Sequence, residues 1–451
     1  MENKGNEHEL MGSMKVSRAV AVMAIPSVIS SLVTVLYNMA DTFFVGQTGD
    51  PLQVAAVSLT NPIFILMMAF ANMFGMGGST VLSMAMGEKN EKRVRAASSF
   101  VTYASILVGI LFAALLILFM DPILALFGAD AETYGFAKGY TLHIAWGAPF
   151  IIWSAAASFI VRAEGASREA MVGSMIGTIA NIVLDPIFIS VLGQGTAGAA
   201  IATSLGNIMA SAYYLWYFLK KSRVLSISFK DFTCGNGILT RICSTGLPTA
   251  IFSALMSVST IVLNQMLVVY GNAPVAAIGI VFKANMFITF LQMGLANGVQ
   301  PLLGYNYGSG DVKRFRSVER FTKRSCLVVG ILATLLYFVL REPIIRLFID
   351  DDEVVRYGVE MLTAYMLSGP VIGFLFVNMN SLQSVGHALE ATVLSVLRQG
   401  VLLIPLLYLL QACFGLTGVI FGQSVTDYIA VALSAVLWRK VRRRLGQDTK
   451  R

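Results

Sequence analysis

The residues with most chemical capacity in this chain are acids set inside long apolar runs. Asp185 closes the stretch Asn181-Ile182-Val183-Leu184-Asp185-Pro186. Asn181 and Asp185 stand four residues apart, so on a helix they share one face. Pro186 has no N–H to give the carbonyl of Ile182 one helical turn back, which opens the backbone locally. A second acid, Asp41, follows Asn38-Met39-Ala40 near the outer end of the first apolar run, and Thr203 lies on a later one. Ionisable groups are expensive in a membrane and need a reason to be there. Two carboxylates, an amide oxygen and a hydroxyl make a hard-oxygen cluster. That chemistry suits a proton shared between acids, or a small hard cation such as Na⁺. The plainer alternative is that each acid sits at a span end and faces water.

Depth follows from helix rise. Asp41 lies roughly 35 Å along its helix from Arg18, Asp185 roughly 25 Å beyond Arg168, and Thr203 roughly 10 Å below the outer end of its span. All three fall in the outer half of the membrane and in one lobe. Asp427 lies near the middle of the last apolar run, between Thr426 and Tyr428, with Asn207 at the matching place in the first half. It reads either as a second coupling or substrate acid, or as a group facing an aqueous cleft. Glu390 and Arg398 read as snorkelling or pairing groups. Lys283, roughly 12 Å below the outer end of its span, would face an acid or water. Met286, Phe287, Phe290, Gln292 and Met293 mix soft apolar and polar groups as a promiscuous cavity would, although lipid-facing or core packing explains such residues too.

The elements that must position these side chains are membrane spans. Of 451 residues, 56% are hydrophobic and only 13% charged, too few charges to cover a soluble surface. Pro51 to Gly87, Ala96 to Met120 and Ile242 to Phe282 contain no Asp, Glu, Lys or Arg. About 20 apolar residues cross a bilayer as a helix, the one open structure that bonds its own backbone there. Twelve spans are predicted, at about 16–40, 52–84, 96–120, 137–161, 169–192, 197–220, 240–269, 275–304, 322–340, 358–386, 391–412 and 416–438. The polar start carries no cleavable leader pattern. Of 33 Lys and Arg residues, only Lys138, Arg341, Arg346 and Arg356 fall outside when both termini are placed in the cytoplasm, and Lys283 lies within a span. The net charge of +8 is thereby met by the anionic inner leaflet, and nucleic acid is not needed as a partner. The 4 cysteines (Cys234, Cys243, Cys326, Cys413) match no metal or disulfide spacing.

The sequence also repeats itself at a shift of about 221. Asp121-Pro122-Ile123-Leu124 falls on Glu342-Pro343-Ile344-Ile345, Leu126-Phe127 on Leu347-Phe348, and Pro149 on Pro370. Gly165 falls on Gly386, Glu169-Ala170 on Glu390-Ala391, and Gly87 on Gly308; Pro26 falls near Pro248 and Gly195-x-x-Gly198 on Gly415-x-x-Gly418 with one-residue slips. The expected organisation is an all-α integral membrane protein: a cytoplasmic tail (1–15), a six-helix lobe (16–221), a cytoplasmic linker (222–238), a second six-helix lobe (239–440) and a basic tail (441–451). Six spans per half give both halves the same orientation, a plan used by secondary transporters. No G-x-x-x-x-G-K-[ST] stretch is present, so an enzyme driven by ATP is not expected and an ion or substrate gradient must supply the energy.

The ordered set of short patterns resembles the multidrug and toxic compound extrusion (MATE) family. Its carriers are Ile25-Pro26, Asn38-x-x-Asp41-Thr42-x-Phe44-Val45-Gly46, Ala55-Ala56-Val57, Arg162-Ala163-x-Gly165, Asn181-x-x-x-Asp185-Pro186 and Gly195-x-x-Gly198-Ala199-Ala200-x-Ala202-Thr203. Pro301-Leu302-x-Gly304-Tyr305-Asn306 and Gly415-Leu416-Thr417-Gly418 continue it, over about residues 15–440. The resemblance implies two V-shaped lobes in a bacterial plasma membrane that export small-molecule drugs in exchange for H⁺ or Na⁺. It implies no cofactor and a monomer in the lipid bilayer. It further implies a cation site at Asp41, Asn181, Asp185 and Thr203, with Tyr37 lining that lobe's cavity and Asn38 beside it. Spans seven and eight carry Asn264, Gln265 and Lys283 where some branches carry acids. A flippase of lipid-linked or anionic substrates is the rival reading.

Overall fold

In the computed structural model, described for residues 9–46, 50–222, 224–235 and 237–448, secondary structure is helical throughout the apolar runs. The side chains of residues 41–43, 45, 46, 51 and 445–448 lie outside the description. Among the described residues, nine helices are long and apolar enough to cross a membrane: one runs Val16–Ala40, others Leu52–Gly87, Glu91–Leu118 and so on to Ala388–Arg444. A further pair, Asp352–Leu367 and Gly369–Ser384, acts as one span bent by 48°. The last helix, 57 residues long, would reach roughly 85 Å if straight, far beyond a bilayer. Gly415, at φ 59° and ψ −136°, breaks it, so it holds two spans. Gly195–Trp216 is long enough but less apolar, because Thr203, Ser204, Asn207 and Ser211 lie along it. With these added, the described residues hold twelve spans, as the sequence predicts.

The chain packs as two compact units. Val33–Ala250 build the first; Ile251–Arg451 together with His8–Leu32 build the second. Packing therefore cuts through spans one and seven, whereas the sequence repeat cuts between residues 221 and 239.

The repeat persists at the level of caps and close contacts. Asn90 accepts from the Arg93 N–H at 3.1 Å to start span three. Asp311, at the matching place in the second half, accepts from the Arg314 N–H at 2.8 Å to start span nine. Asp130 accepts from the N–H groups of Glu132 and Thr133, and its counterpart Asp351 from those of Glu353 and Val354. Each cap satisfies donors that a helix start leaves unbonded. The hydroxyl of Thr133 also donates to Asp130, and these bonds hold its carboxyl below the usual carboxylate range.

Span three meets span four (Tyr134–Ala163) where a methyl on Gly109 would lie 2.4 Å from the Pro149 Cα. Span nine (Val312–Arg346) meets the bend of span ten where a methyl on Gly330 would lie 2.5 Å from the Gly369 carbonyl oxygen and 2.9 Å from the Pro370 Cα. Both neighbours are backbone and cannot swing aside. We expect Gly109→Ala and Gly330→Ala each to destabilise the protein by roughly 1–3 kcal/mol through overpacking. Gly139→Ala, whose methyl would meet Ala197 Cβ at an ordinary 3.6 Å, should be neutral. Thermal unfolding in detergent checks this; equal melting temperatures for all three variants would remove the packing argument.

Candidate cation site and the polar residues of the spans

The site in the first unit is built where span five (Ser167–Pro186) crosses span six (Gly195–Trp216). The two helices come to backbone contact: a methyl on Gly177 would lie 3.0 Å from the Gly206 carbonyl oxygen, and one on Gly206 2.6 Å from that of Gly177. One turn along from this contact, Asn181 and Thr203 face each other. Beyond Pro186 the helix widens into a π-turn, Ile187–Val191, which Leu192 closes by donating to the Ile187 carbonyl at 2.8 Å. The loosened backbone expected at the proline is thus present, displaced to the residues that follow it.

Asp185 is fully buried, and Asn181 and Thr203 nearly so, at 3% and 4% exposure. The Asn181 amide is best satisfied with its NH₂ turned to the acid. It then donates to Asp185 Oδ2 at 3.0 Å, while its oxygen accepts from the Thr203 N–H at 2.8 Å and the Thr203 hydroxyl at 3.2 Å. The opposite orientation would press an amide NH₂ against a backbone N–H, donor against donor. Tyr37 Oη lies 3.4 Å from the Thr203 hydroxyl, which ties span one to the cluster. The helix of span one includes Asp41, but its side chain lies outside the described residues. Three of the four expected ligands, with Tyr37, are therefore in one hydrogen-bonded group. Asn38 is half-buried on the same helix.

The MatE family model matches residues 26–187 and, a second time, residues 248–409. The chain belongs to the MatE family. The two matches begin at Pro26 and Pro248, in register with the repeat seen in the caps. The multidrug export protein MepA of Staphylococcus saprophyticus is 33% identical over 429 residues, 94% of each chain. MepA of Staphylococcus aureus is 33% identical over 438 residues, 96% of each. A solved outward-facing multidrug resistance MATE transporter superposes with a TM-score of 0.93 at 23% identity, covering 97% of this chain and 98% of the other, which is a likeness of fold.

In this MatE chain the second-half residues expected to line a cavity separate into two groups. Lys283 is exposed, and Met286 and Met293 are half-buried, so they lie at the surface of the second unit. Gln292 corrects the expectation. It is fully buried and donates through Nε2 to the Gly369 carbonyl at 2.6 Å. It braces the bend of span ten, where the helical bond pattern is interrupted. Asp427 is buried rather than facing water. It is 3% exposed and paired with Arg398, whose Nε lies 2.8 Å from its Oδ1. Gln423, one turn before it, donates to the same oxygen at 3.1 Å. Glu390 pairs instead with His387 Nδ1 at 2.9 Å.

Several buried amides had no sequence signal beyond lying in apolar runs. Asn378 donates to the Ser434 hydroxyl at 2.8 Å, and Asn380 to Asn297 Oδ1 at 3.0 Å. Ser154 donates to Asn207 Oδ1 at 2.9 Å. Among the described residues no three His, Cys, Asp or Glu side chains gather as a metal centre.

Removing the Asn181 amide takes one donor from a buried carboxylate and one acceptor from the Thr203 hydroxyl and N–H. Asn181→Ala should cost about 1–3 kcal/mol, and Thr203→Ser, which keeps hydroxyl and backbone, much less. Thermal unfolding of the purified variants reads the difference; an Asn181→Ala protein as stable as wild type would argue against the bonded arrangement.

Proposed function

We propose that the chain is a secondary active multidrug exporter that moves mostly cationic, amphipathic drugs outward in exchange for H⁺ or Na⁺. The observation that carries the proposal is the fully buried Asp185, held by Asn181 and Thr203 within the apolar part of a chain of MepA-like length and family. A carboxylate so placed has a large energy difference between its charged and neutral forms. That difference is what an ion-coupled carrier needs.

In this reading residues 16–221 and 239–440 are the two working lobes, joined by the linker 222–238, in a bacterial plasma membrane with both termini cytoplasmic. The protein acts as a monomer and uses no cofactor. The outward-open protein takes an ion at Asp41 and Asp185. Neutralising the acids lets span one bend and releases drug outward. The ion-loaded protein then turns inward, where the ion leaves and a new drug is taken up. Coupling requires that ion and drug favour different states, since a ligand shifts an equilibrium only by its differential affinity.

The donor set fits either ion. Oxygens of Asp185, Asn181 and Thr203 are hard ligands suited to Na⁺. The Asn181 NH₂ facing Asp185 is compatible with protonation as it stands, whereas Na⁺ at that oxygen would require the amide to turn over. The exposed Lys283 is the feature on which the alternative, a flippase of lipid-linked or anionic substrates, would draw.

Ethidium efflux from vesicles, driven first by an imposed pH gradient and then by a Na⁺ gradient, tests the reading. Wild type should export under one of the two. Asp41→Asn and Asp185→Asn should lower the rate at least tenfold while the protein remains folded in the membrane. Wild-type rates in both variants would place the coupling site elsewhere, and no efflux under either gradient would count against the export reading itself.

A further inference from the structure

We propose that Asp427, Phe252 and Phe376 form an organic-cation site in the second unit, and that Arg398 occupies it from within the protein. The inference takes its ligand class from the export reading but assigns a place that this reading does not use.

Four spans converge on the site. Phe252 comes from span seven, Phe376 from the second part of span ten, Arg398 from span eleven, and Asp427 with Gln423 from span twelve. The guanidinium carbon of Arg398 lies 5.4 Å from the Phe252 ring centre and 5.6 Å from that of Phe376. Its Nε donates to Asp427. A planar cation between two aromatic rings, facing a carboxylate, is the arrangement that recognises organic ammonium and amidinium groups. Here the side chain of the protein itself supplies the cation.

The arrangement is poorly suited to being structural glue alone. A buried pair recovers its desolvation cost only with excellent geometry and full hydrogen bonding. Arg398 and Asp427 use one nitrogen and one oxygen, not the two-pronged contact that makes such pairs strong. Gln423 bonds the same Oδ1, so among the described residues the carboxylate is engaged through one oxygen. Gln423 and Phe252 are half-buried, which gives the site a way to the surface of the unit.

Arg398 is also on a section of helix that can yield. It sits in a π-turn, Leu397–Val401, where bonds run to the fifth residue and the helix is wider than normal. Such turns are short and recur at functional sites. The hydroxyl of Ser259 in span seven donates to the Gln399 carbonyl in the same turn. The first half has no such charge pair. Position 177 (398 minus 221) is glycine, the residue that lets spans five and six touch, and Asn207 stands against Asp427. The charge pair is therefore an addition to the repeated scaffold rather than a requirement of it.

A tethered cation competes with any free one. The apparent affinity of the site for a ligand is lowered by the fraction of time Arg398 fills it. Removing the tether should raise affinity, the opposite of removing a binding residue.

Ethidium binding to the full-length protein in detergent, followed by fluorescence polarisation, tests this without a gradient. Arg398→Gln should lower the Kd at least tenfold. Asp427→Asn should raise it at least tenfold, and R398Q/D427N should match Asp427→Asn. The double variant leaves no uncompensated charge at this pair, so it remains informative if a single one fails to fold. A structural pair would instead leave the double variant binding like wild type, and that result, or an Arg398→Gln protein that binds no tighter, overturns the proposal. Retained binding with the expected variant order but no vesicle efflux would defeat the export reading and leave this site standing.

Discussion

A carboxylate inside hydrocarbon must find its donors within the protein, because no water is there to supply them. That single requirement organises the first unit. Asp185 needs the Asn181 NH₂, and the Asn181 oxygen in turn needs the N–H and hydroxyl of Thr203. Those bonds span two helices and reach only a few ångströms. Spans five and six must therefore approach to backbone contact, which Gly177 and Gly206 permit. The glycines, the amide and the acid are one device. A side chain at either glycine would push the helices apart and leave the polar groups unpaired.

The same requirement explains several polar residues of the second unit without a bound ion. The bend of span ten interrupts its helical bonds, and Gln292 reaches across to the Gly369 carbonyl. Ser384, at the end of that span, donates to the Gln300 carbonyl at 3.2 Å. Trp438 donates to Glu319 Oε1 at 2.7 Å, and Lys323 pairs with the same acid, so a nearly buried glutamate has one cation and one neutral donor. A buried polar side chain in a span is thus first a statement about a neighbouring backbone or charge. Only when its needs exceed what the packing supplies does it point to a ligand.

This distinction marks where sequence is informative and where it is not. Span count, direction of charge and the repeat follow from patterns along one strand of chain, so residue spacing carries them. The caps at Asn90 and Asp311 repeat because each helix must be started again at the same place. The pairing of Asn181 with Asp185 is legible because four residues make one helical turn. Thr203 is less so, since a partner on the next helix depends on how two helices rotate against each other. Arg398 and Asp427, on separate spans with a break at Gly415 between them, are not legible at all by spacing. Arg398 reads as an interfacial group because it follows a cytoplasmic loop, yet it lies buried between two rings. The bend in span ten has a sequence mark in Gly369-Pro370, but hydropathy runs evenly through it, and the freed carbonyl and its partner Gln292 appear only in the structure.

The two halves then differ in how they answer one problem. Both bring their fifth and sixth helices together within the apolar runs. In the export reading proposed above, the first half leaves Asp185 there with the neutral Asn181 amide as a donor, so that its charge can be altered by an incoming ion. The second half balances its acid with a fixed cation, and a fixed cation cannot leave the protein. If Arg398 never moved, Asp427 would have no advantage over a pair of apolar residues, which pack at less desolvation cost. The pair makes physical sense when the cation can be exchanged for another of like charge. On the two proposals made above, a lobe that swaps one organic cation for another and a lobe that takes up a small ion would be complementary halves of an exchanger, built by changing a few residues on one duplicated scaffold.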